Sequence, residues 1–153
     1  MSGYDAWQNH ALLRDRPDML ALVQLAADAR LLAYAPYSGF SVGAALLTAS
    51  GRIVTGVNIE NASYPVGCCA ERSAVCAAVS AGDRAFTAIA IVTDADHPAA
   101  PCGLCRQTLC EFGLELEVVL ASVRGEVWRA VLKDLLPSAF VPSSFEPRPG
   151  RMA

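Results

Sequence analysis

An α/β fold is what this 153-residue sequence predicts, and three observations carry the prediction. A stretch with helical periodicity near the N-terminus is followed by two apolar runs joined by a turn, which is a hairpin signal. The run Ala88-Ile89-Ala90-Ile91-Val92 is apolar on both faces, as a strand covered on both sides must be. Helical and strand patterns then alternate toward the C-terminus, as they do where helices layer a sheet.

Taken in order, residues 1–16 read as a polar extension. Pro17-Asp18 opens a helix through about Tyr34: proline is tolerated in the first turn, an acid there meets the positive end of the dipole, and Leu22, Leu25, Ala26, Ala29 and Ala33 recur at helical spacing. The turn Ala35-Pro36-Tyr37-Ser38-Gly39 leads into a strand from Val42 to Leu47, and Ala49-Ser50-Gly51 turns the chain into a second from Ile53 to Val57. From Cys69 to about Ala81 the pattern is helical, with Val75, Ala78 and Val79 on one face and Gly82 as the stop. Thr93 through Ala100 is a loop, and a short helix begins at Cys102 and ends near Gly113. Leu116–Leu120 and Val127–Val131 complete the strands, Leu132–Leu136 makes a turn or two of helix, and the proline-rich tail from Pro137 is irregular. The length suits one domain over 1–153, with 141–153 as an irregular tail.

Composition narrows the classes. Hydrophobic residues make up 54% and charged residues 18%, more apolar content than one small core needs, so part of it is expected to meet other subunits. The net charge is −3, the pI about 5.3, and the 12 Lys and Arg are scattered, which disfavours nucleic acid or an anionic membrane as partner. Met1-Ser2-Gly3-Tyr4-Asp5 is too polar and acidic for a signal peptide, and no apolar stretch approaches the length of a membrane span. A soluble, cytoplasmic protein is expected. In that setting six cysteines point to metal, catalysis or burial before disulfides.

The chemistry lies in Cys69-Ala70-Glu71 and Pro101-Cys102-Gly103-Leu104-Cys105. Both clusters begin helices, where free backbone N–H groups and the helix dipole favour the thiolates that a metal needs. Cys102 and Cys105 share a helix face. Two thiols from one helix and one from another leave a tetrahedral zinc with an open position, the mark of catalysis rather than of a closed structural site. The two histidines, His10 and His97, lie outside the motif, so zinc here takes sulfur. By itself Glu71 is an ordinary acid in a first helical turn; beside an open metal site it is placed to move protons. Three thiolates leave a formal charge of −1 on the site. Arg72, three residues after Cys69, either withdraws some of that charge from a sulfur or pairs with a surface carboxylate, and the spacing allows both. Cys76 and Cys110 are expected to be small core residues.

Five ordered segments resemble the small homotetrameric cytidine deaminases over roughly Leu20 to Phe140. They are Tyr37-Ser38-Gly39-Phe40-Ser41-Val42-Gly43-Ala44-Ala45, Gly56-Val57-Asn58-Ile59-Glu60-Asn61-Ala62-Ser63-Tyr64-Pro65, Cys69-Ala70-Glu71-Arg72, Pro101-Cys102-Gly103-Leu104-Cys105-Arg106-Gln107 and Leu135-Leu136-Pro137-Ser138-Ala139-Phe140. The resemblance implies a three-layer α-β-α sandwich around a mixed five-stranded sheet. It also implies one Zn²⁺ per subunit on Cys69, Cys102 and Cys105, with Glu71 shuttling protons as cytidine and deoxycytidine become uridine and deoxyuridine in pyrimidine salvage. It favours Cys69 over Cys68 as ligand, because only Cys69 leaves Glu71 at the offset this type of site uses. It further implies that Asn58 and Glu60 grip the ribose 3′-hydroxyl, that Phe40 packs on the base, and that the Ala70 N–H meets the base carbonyl. Tyr64 and Phe140 would complete the pockets of neighbouring subunits. Residues 14–19, the loop 93–100 and the tail beyond Phe140 match no signature of the family.

Three other readings compete. A dithiol redox protein would use Cys102 and Cys105 alone and leaves Cys69, Glu71, Asn58 and Glu60 unexplained. A closed zinc fold would need a fourth ligand such as Cys68. A blasticidin-S-type deaminase shares the cysteine pattern, but Asn58-Ile59-Glu60-Asn61 argues against it.

Overall fold

The computed structural model describes residues 3–145, so most of the tail expected to be irregular lies outside the described residues. The order of elements is α1 (Gly3–Asn9), α2 (Pro17–Arg30), β1 (Val42–Thr48), β2 (Ile53–Val57), α3 (Ala70–Ser80), β3 (Phe86–Thr93), α4 (Gly103–Cys110), β4 (Glu117–Ser122), β5 (Val127–Val131) and α5 (Leu132–Leu135). Single turns of 3₁₀ helix sit at Tyr64–Val66 and Pro142–Ser144. The strands form one sheet in the order β2-β1-β3-β4-β5. Only β3 and β4 run parallel; the other pairings are antiparallel, so the sheet is mixed. The parallel pair needs a crossover, which the loop after β3 and α4 supply.

Alternation along the strands divides the core in two. Ala44, Leu46, Ile89, Ile91, Val118 and Leu120 face α3, α4 and α5. Ala45, Ala88, Ala90, Val92, Val119, Ala121 and Val127 face α1 and α2. This is the expected three-layer α-β-α arrangement, and the period of two explains why β3, covered on both faces, is apolar throughout.

The N-terminal segment differs from its reading as a polar extension. It carries α1, and Trp7 and Leu13 are completely buried against the β4–β5 half of the sheet. The Trp7 indole donates to the Ser122 carbonyl at 3.1 Å, so its one polar atom is satisfied where it is buried. Two apolar anchors six residues apart cover a sheet face that α2 leaves open, and so short a pattern has no detectable helical period.

Close backbone approach sets the helices on the sheet. A Cβ on Gly56 would stand 2.3 Å from the Ala74 nitrogen and 2.4 Å from the Ala70 oxygen, both backbone atoms of α3. Gly43 does the same for α2, where a Cβ would lie 2.0 Å from the Ala26 oxygen. Glycine at Gly56 lets the N-terminal half of α3, with Glu71 in its first turn, sit directly on the strand.

Among the described residues no helix is long and apolar enough to cross a membrane.

Candidate metal centre and adjoining cavities

Cys69 is the N-cap residue of α3 and Cys102 the N-cap residue of α4, both extended in backbone conformation (φ −75°, ψ 156° and φ −66°, ψ 166°). Cys105 follows in the first turn of α4, and the contact between α3 and α4 brings the three sulfurs together. Sγ of Cys102 lies 3.8 Å from that of Cys69 and 3.5 Å from that of Cys105. All three sulfurs lie within 4.8 Å of one another. A tetrahedral zinc with sulfur at about 2.3 Å sets its ligand sulfurs about 3.8 Å apart, so the trio fits one zinc and leaves a fourth position for another group.

Cys68 is not part of the cluster. Its backbone pairs with Ile59 in both directions, at 2.8 and 2.9 Å, and its sulfur accepts the Ser73 hydroxyl at 3.5 Å. That pairing also fixes where the chain enters α3. A closed four-sulfur site through Cys68 therefore finds no support in the geometry. A bare dithiol does not describe the cluster either, because Cys69 stands as near to Cys102 as a shared metal would require.

Within the cluster of thiols the Cys69 sulfur favours the thiolate. The Cys105 and Cys102 thiols donate to its sulfur and the Arg72 guanidinium lies beside it, which holds it down to about 5 against the cost of burial. Cys105, which donates to that thiolate and is buried, is pushed up. Glu71 is 4% exposed, and burial raises its carboxyl above the usual range, reinforced by the charge of Cys69. A carboxyl whose neutral form is favoured in this way can hold a proton as well as release one. Arg72 donates through Nη2 to the Gly67 carbonyl at 2.8 Å. That bond turns the guanidinium toward the loop before Cys69 and not toward a surface carboxylate.

Two cavities adjoin the cluster. The smaller, about 200 Å³, is walled by Phe40, Val42, Ile91, Ala99 and Ala100 and reaches Ala70, Glu71, Cys69 and Cys102. The larger, about 410 Å³, is lined by Tyr37, Ser38, Asn58, Glu60, Tyr64 and Cys69, among others. Asn58 and Cys69 line both, so the two lie side by side.

Asn58 and Glu60 follow the end of β2 and flank Ile59, which makes isolated bridges to Tyr34 and to Cys68, so the expected alternation lies just beyond the strand. Both already serve the chain. Asn58 accepts the Val42 N–H through Oδ1 and donates through Nδ2 to the Phe40 carbonyl, each at 2.8 Å. Glu60 takes the Ser38 hydroxyl and the N–H groups of Tyr37 (2.8 Å) and Ser38 (3.2 Å). The hydroxyl first and the two amides after it hold the Glu60 carboxyl below its ordinary range. Sequence reasoning missed Ser38 as the partner of Glu60; its place in the Tyr37-Ser38-Gly39 turn was the available signal.

Phe40 is 40% exposed at the mouth of the smaller cavity, and Tyr64 is 75% exposed with its ring 6.0 Å from that of Tyr37. Phe140 is 63% exposed and lines neither cavity. Cys110 is buried as expected, whereas Cys76 is exposed. The buried face of α3 is Ala70, Glu71, Ala74, Val75 and Ala78, and position 76 falls about 100° away from Val75 around the helix.

Residues 18–121 match the family described as the cytidine and deoxycytidylate deaminase zinc-binding region. A cytidine deaminase of Halalkalibacterium halodurans is 45% identical over 124 residues, 80% of this chain and 94% of the relative. One of Mycobacterium tuberculosis is 46% identical over 108 residues, 71% of this chain and 78% of the relative. The crystal structure of a cytidine deaminase from Burkholderia pseudomallei superposes with a TM-score of 0.76 at 51% identity, covering 78% of this chain and 97% of that one. A family match over most of the chain, coverage of 78–97% of such relatives and a trio of thiols that fits one zinc lead to one assignment: the chain belongs to the zinc-dependent cytidine deaminase family.

Proposed function

We propose that the protein hydrolyses cytidine and deoxycytidine to uridine and deoxyuridine with release of ammonia, a step of pyrimidine salvage. The observation that carries this reading is the buried Glu71 carboxyl, set beside three thiols that fit one zinc and in the wall of a cavity sized for a pyrimidine ring. When bound, zinc supplies a Lewis acid that makes water a nucleophile near neutral pH. Cys69, Cys102 and Cys105 hold it from two helix N-termini, and Arg72 offsets part of the charge of three thiolates. Ala70 opens α3, so its N–H has no acceptor within the helix and is free for the base carbonyl. Phe40 packs on the ring. Glu71 takes a proton from the attacking water and gives it to ring N3. It then takes the remaining water proton from the oxygen now on C4 and gives it to the departing amine, which leaves as ammonia as the C4 carbonyl forms, and so ends as it began.

The larger cavity suits the sugar. Asn58 retains one amide N–H after its bond to the Phe40 carbonyl, and the Glu60 carboxylate, with four acceptor positions, retains room for a hydroxyl. Glu60 is ionised at neutral pH and repels a 3′-phosphate, which favours a free nucleoside over a nucleotide. Exposed Tyr34, Tyr37, Ile59, Tyr64 and Val66 form an apolar border near the cavity, which supports self-association as a homotetramer with shared sites, Tyr64 and Phe140 reaching a neighbour. A reducing, cytoplasmic setting suits a site that needs three thiolates, and the two core clusters on one sheet support a single domain.

The test is loss of cytidine absorbance with stoichiometric ammonia on addition of zinc-loaded protein. Activity should vanish on chelation and return with zinc, and cytidine 3′-monophosphate should be a poor substrate. A zinc-replete protein inert toward both nucleosides would refute the reading.

A further inference from the structure

Cys105, Arg106 and Gln107 are consecutive in α4, and the two residues after the thiol donate to main-chain carbonyls outside the helix. Arg106 donates through Nε to Pro101, the residue before Cys102, and through Nη1 to Leu135, each at 2.7 Å. Gln107 donates through Nε2 to Phe140 at 2.8 Å. The two helix residues thus grip both ends of the segment 135–140.

That segment needs holding. Its apex, Ser138, has φ 57°, a left-handed conformation that a residue with a Cβ adopts at a cost. Leu135, Leu136 and Ala139 pack on the core at the foot of the segment, and Phe140 is presented outward against Phe145, the ring centroids 5.9 Å apart. A strained turn anchored at both ends has fewer conformations open to it than the same turn with a free end. The third bond, from Arg106 to Pro101, ties this anchor to the loop that delivers a cluster thiol.

We propose that Arg106 and Gln107 form a clamp that sets the position of the 135–140 turn against the cysteine-bearing end of α4, and through it the reach of Phe140. Gln107 acts on the turn alone; Arg106 acts on the turn and on the Cys102 loop. Both are positioning residues, since neither lines the cavities at the cluster. The effect on substrate rests on Phe140 completing a neighbouring subunit's pocket.

The experiment compares full-length, zinc-loaded wild type with Gln107→Glu, which keeps shape but removes the donor, with Arg106→Lys, with Phe140→Ala, and with the Gln107→Glu/Phe140→Ala double variant. Hydrogen exchange at 138–141, KM and kcat for cytidine, and zinc loss to a chelator are the readouts. Gln107→Glu should speed exchange in the turn and raise KM about 2- to 12-fold, the range set by one lost hydrogen bond, with a smaller fall in kcat and wild-type zinc loss. Arg106→Lys should speed both exchange and zinc loss. Phe140→Ala should raise KM, and adding Gln107→Glu to it should raise KM little further. Wild-type exchange in Gln107→Glu overturns the clamp. Faster exchange in Gln107→Glu with an unchanged KM in Phe140→Ala keeps the clamp and removes the shared-pocket reading instead.

Discussion

In the proposed mechanism, replacing Glu71 by glutamine removes the proton carrier and almost nothing else. The amide has the carboxyl's shape, and a neutral group is cheaper than a charge at a position that is 4% exposed. The three thiols are untouched, so zinc should remain at one per chain. No second carboxyl lines the smaller cavity; Glu60 belongs to the larger one and is already bonded to the Tyr37-Ser38 turn. The variant should therefore lose the whole general acid–base contribution, about 10²–10⁴-fold in kcat. At about 1.4 kcal/mol per tenfold, this corresponds to about 3–5 kcal/mol of barrier. The assay is steady-state loss of cytidine absorbance, with zinc measured on the same sample and thermal unfolding to show an intact fold. A zinc-replete, folded Glu71→Gln protein that turns over within a few fold of wild type would refute the role given to Glu71.

Three further outcomes follow from the same geometry. Arg72→Gln should slow turnover about 10- to 100-fold by leaving the three sulfurs more electron-rich, and unchanged kinetics with unchanged zinc affinity would make Arg72 a structural residue only. Gly56→Ala drives a methyl into the backbone of α3, so destabilisation of about 3 kcal/mol and a fall in Tm of about 6–12 °C are expected by calorimetry, together with weaker zinc retention. Trp7→Ala should cost about 3–5 kcal/mol, a Tm fall of about 6–20 °C, with the zinc content of the folded protein unaltered; a Tm near wild type would show that α1 contributes little to the second core.

Elements with long, strong periods were legible in the sequence. The hairpin, the doubly covered β3 and the helix after Cys69 lie within a residue or two of their expected bounds, and the helix after Cys102 starts where expected but ends at Cys110, three residues short of Gly113, because strand alternation and helix caps are local signals. The cysteine cluster was legible for a different reason: thiols at a helix start and one turn into it have few ways to point. What escaped depends on the tertiary setting. Trp7 and Leu13 look like stray apolar residues in a polar segment until the sheet face beneath them is known. Cys76 looks like a core residue until the buried face of α3 is fixed by Glu71, Ala74, Val75 and Ala78. Asn58 and Glu60 were expected to wait for a ligand. Instead they also staple the Tyr37–Val42 segment, using hydrogen bonds between residues 16 to 23 positions apart that no local pattern encodes.

Coordination of the bound metal tests the central claim most directly. X-ray absorption at the zinc edge of the purified protein should give three sulfurs at about 2.3 Å and one oxygen or nitrogen at about 2.0 Å, with one zinc per chain. Four sulfurs, with Cys68 drawn in as the fourth, would mean a closed structural site and contradict the account.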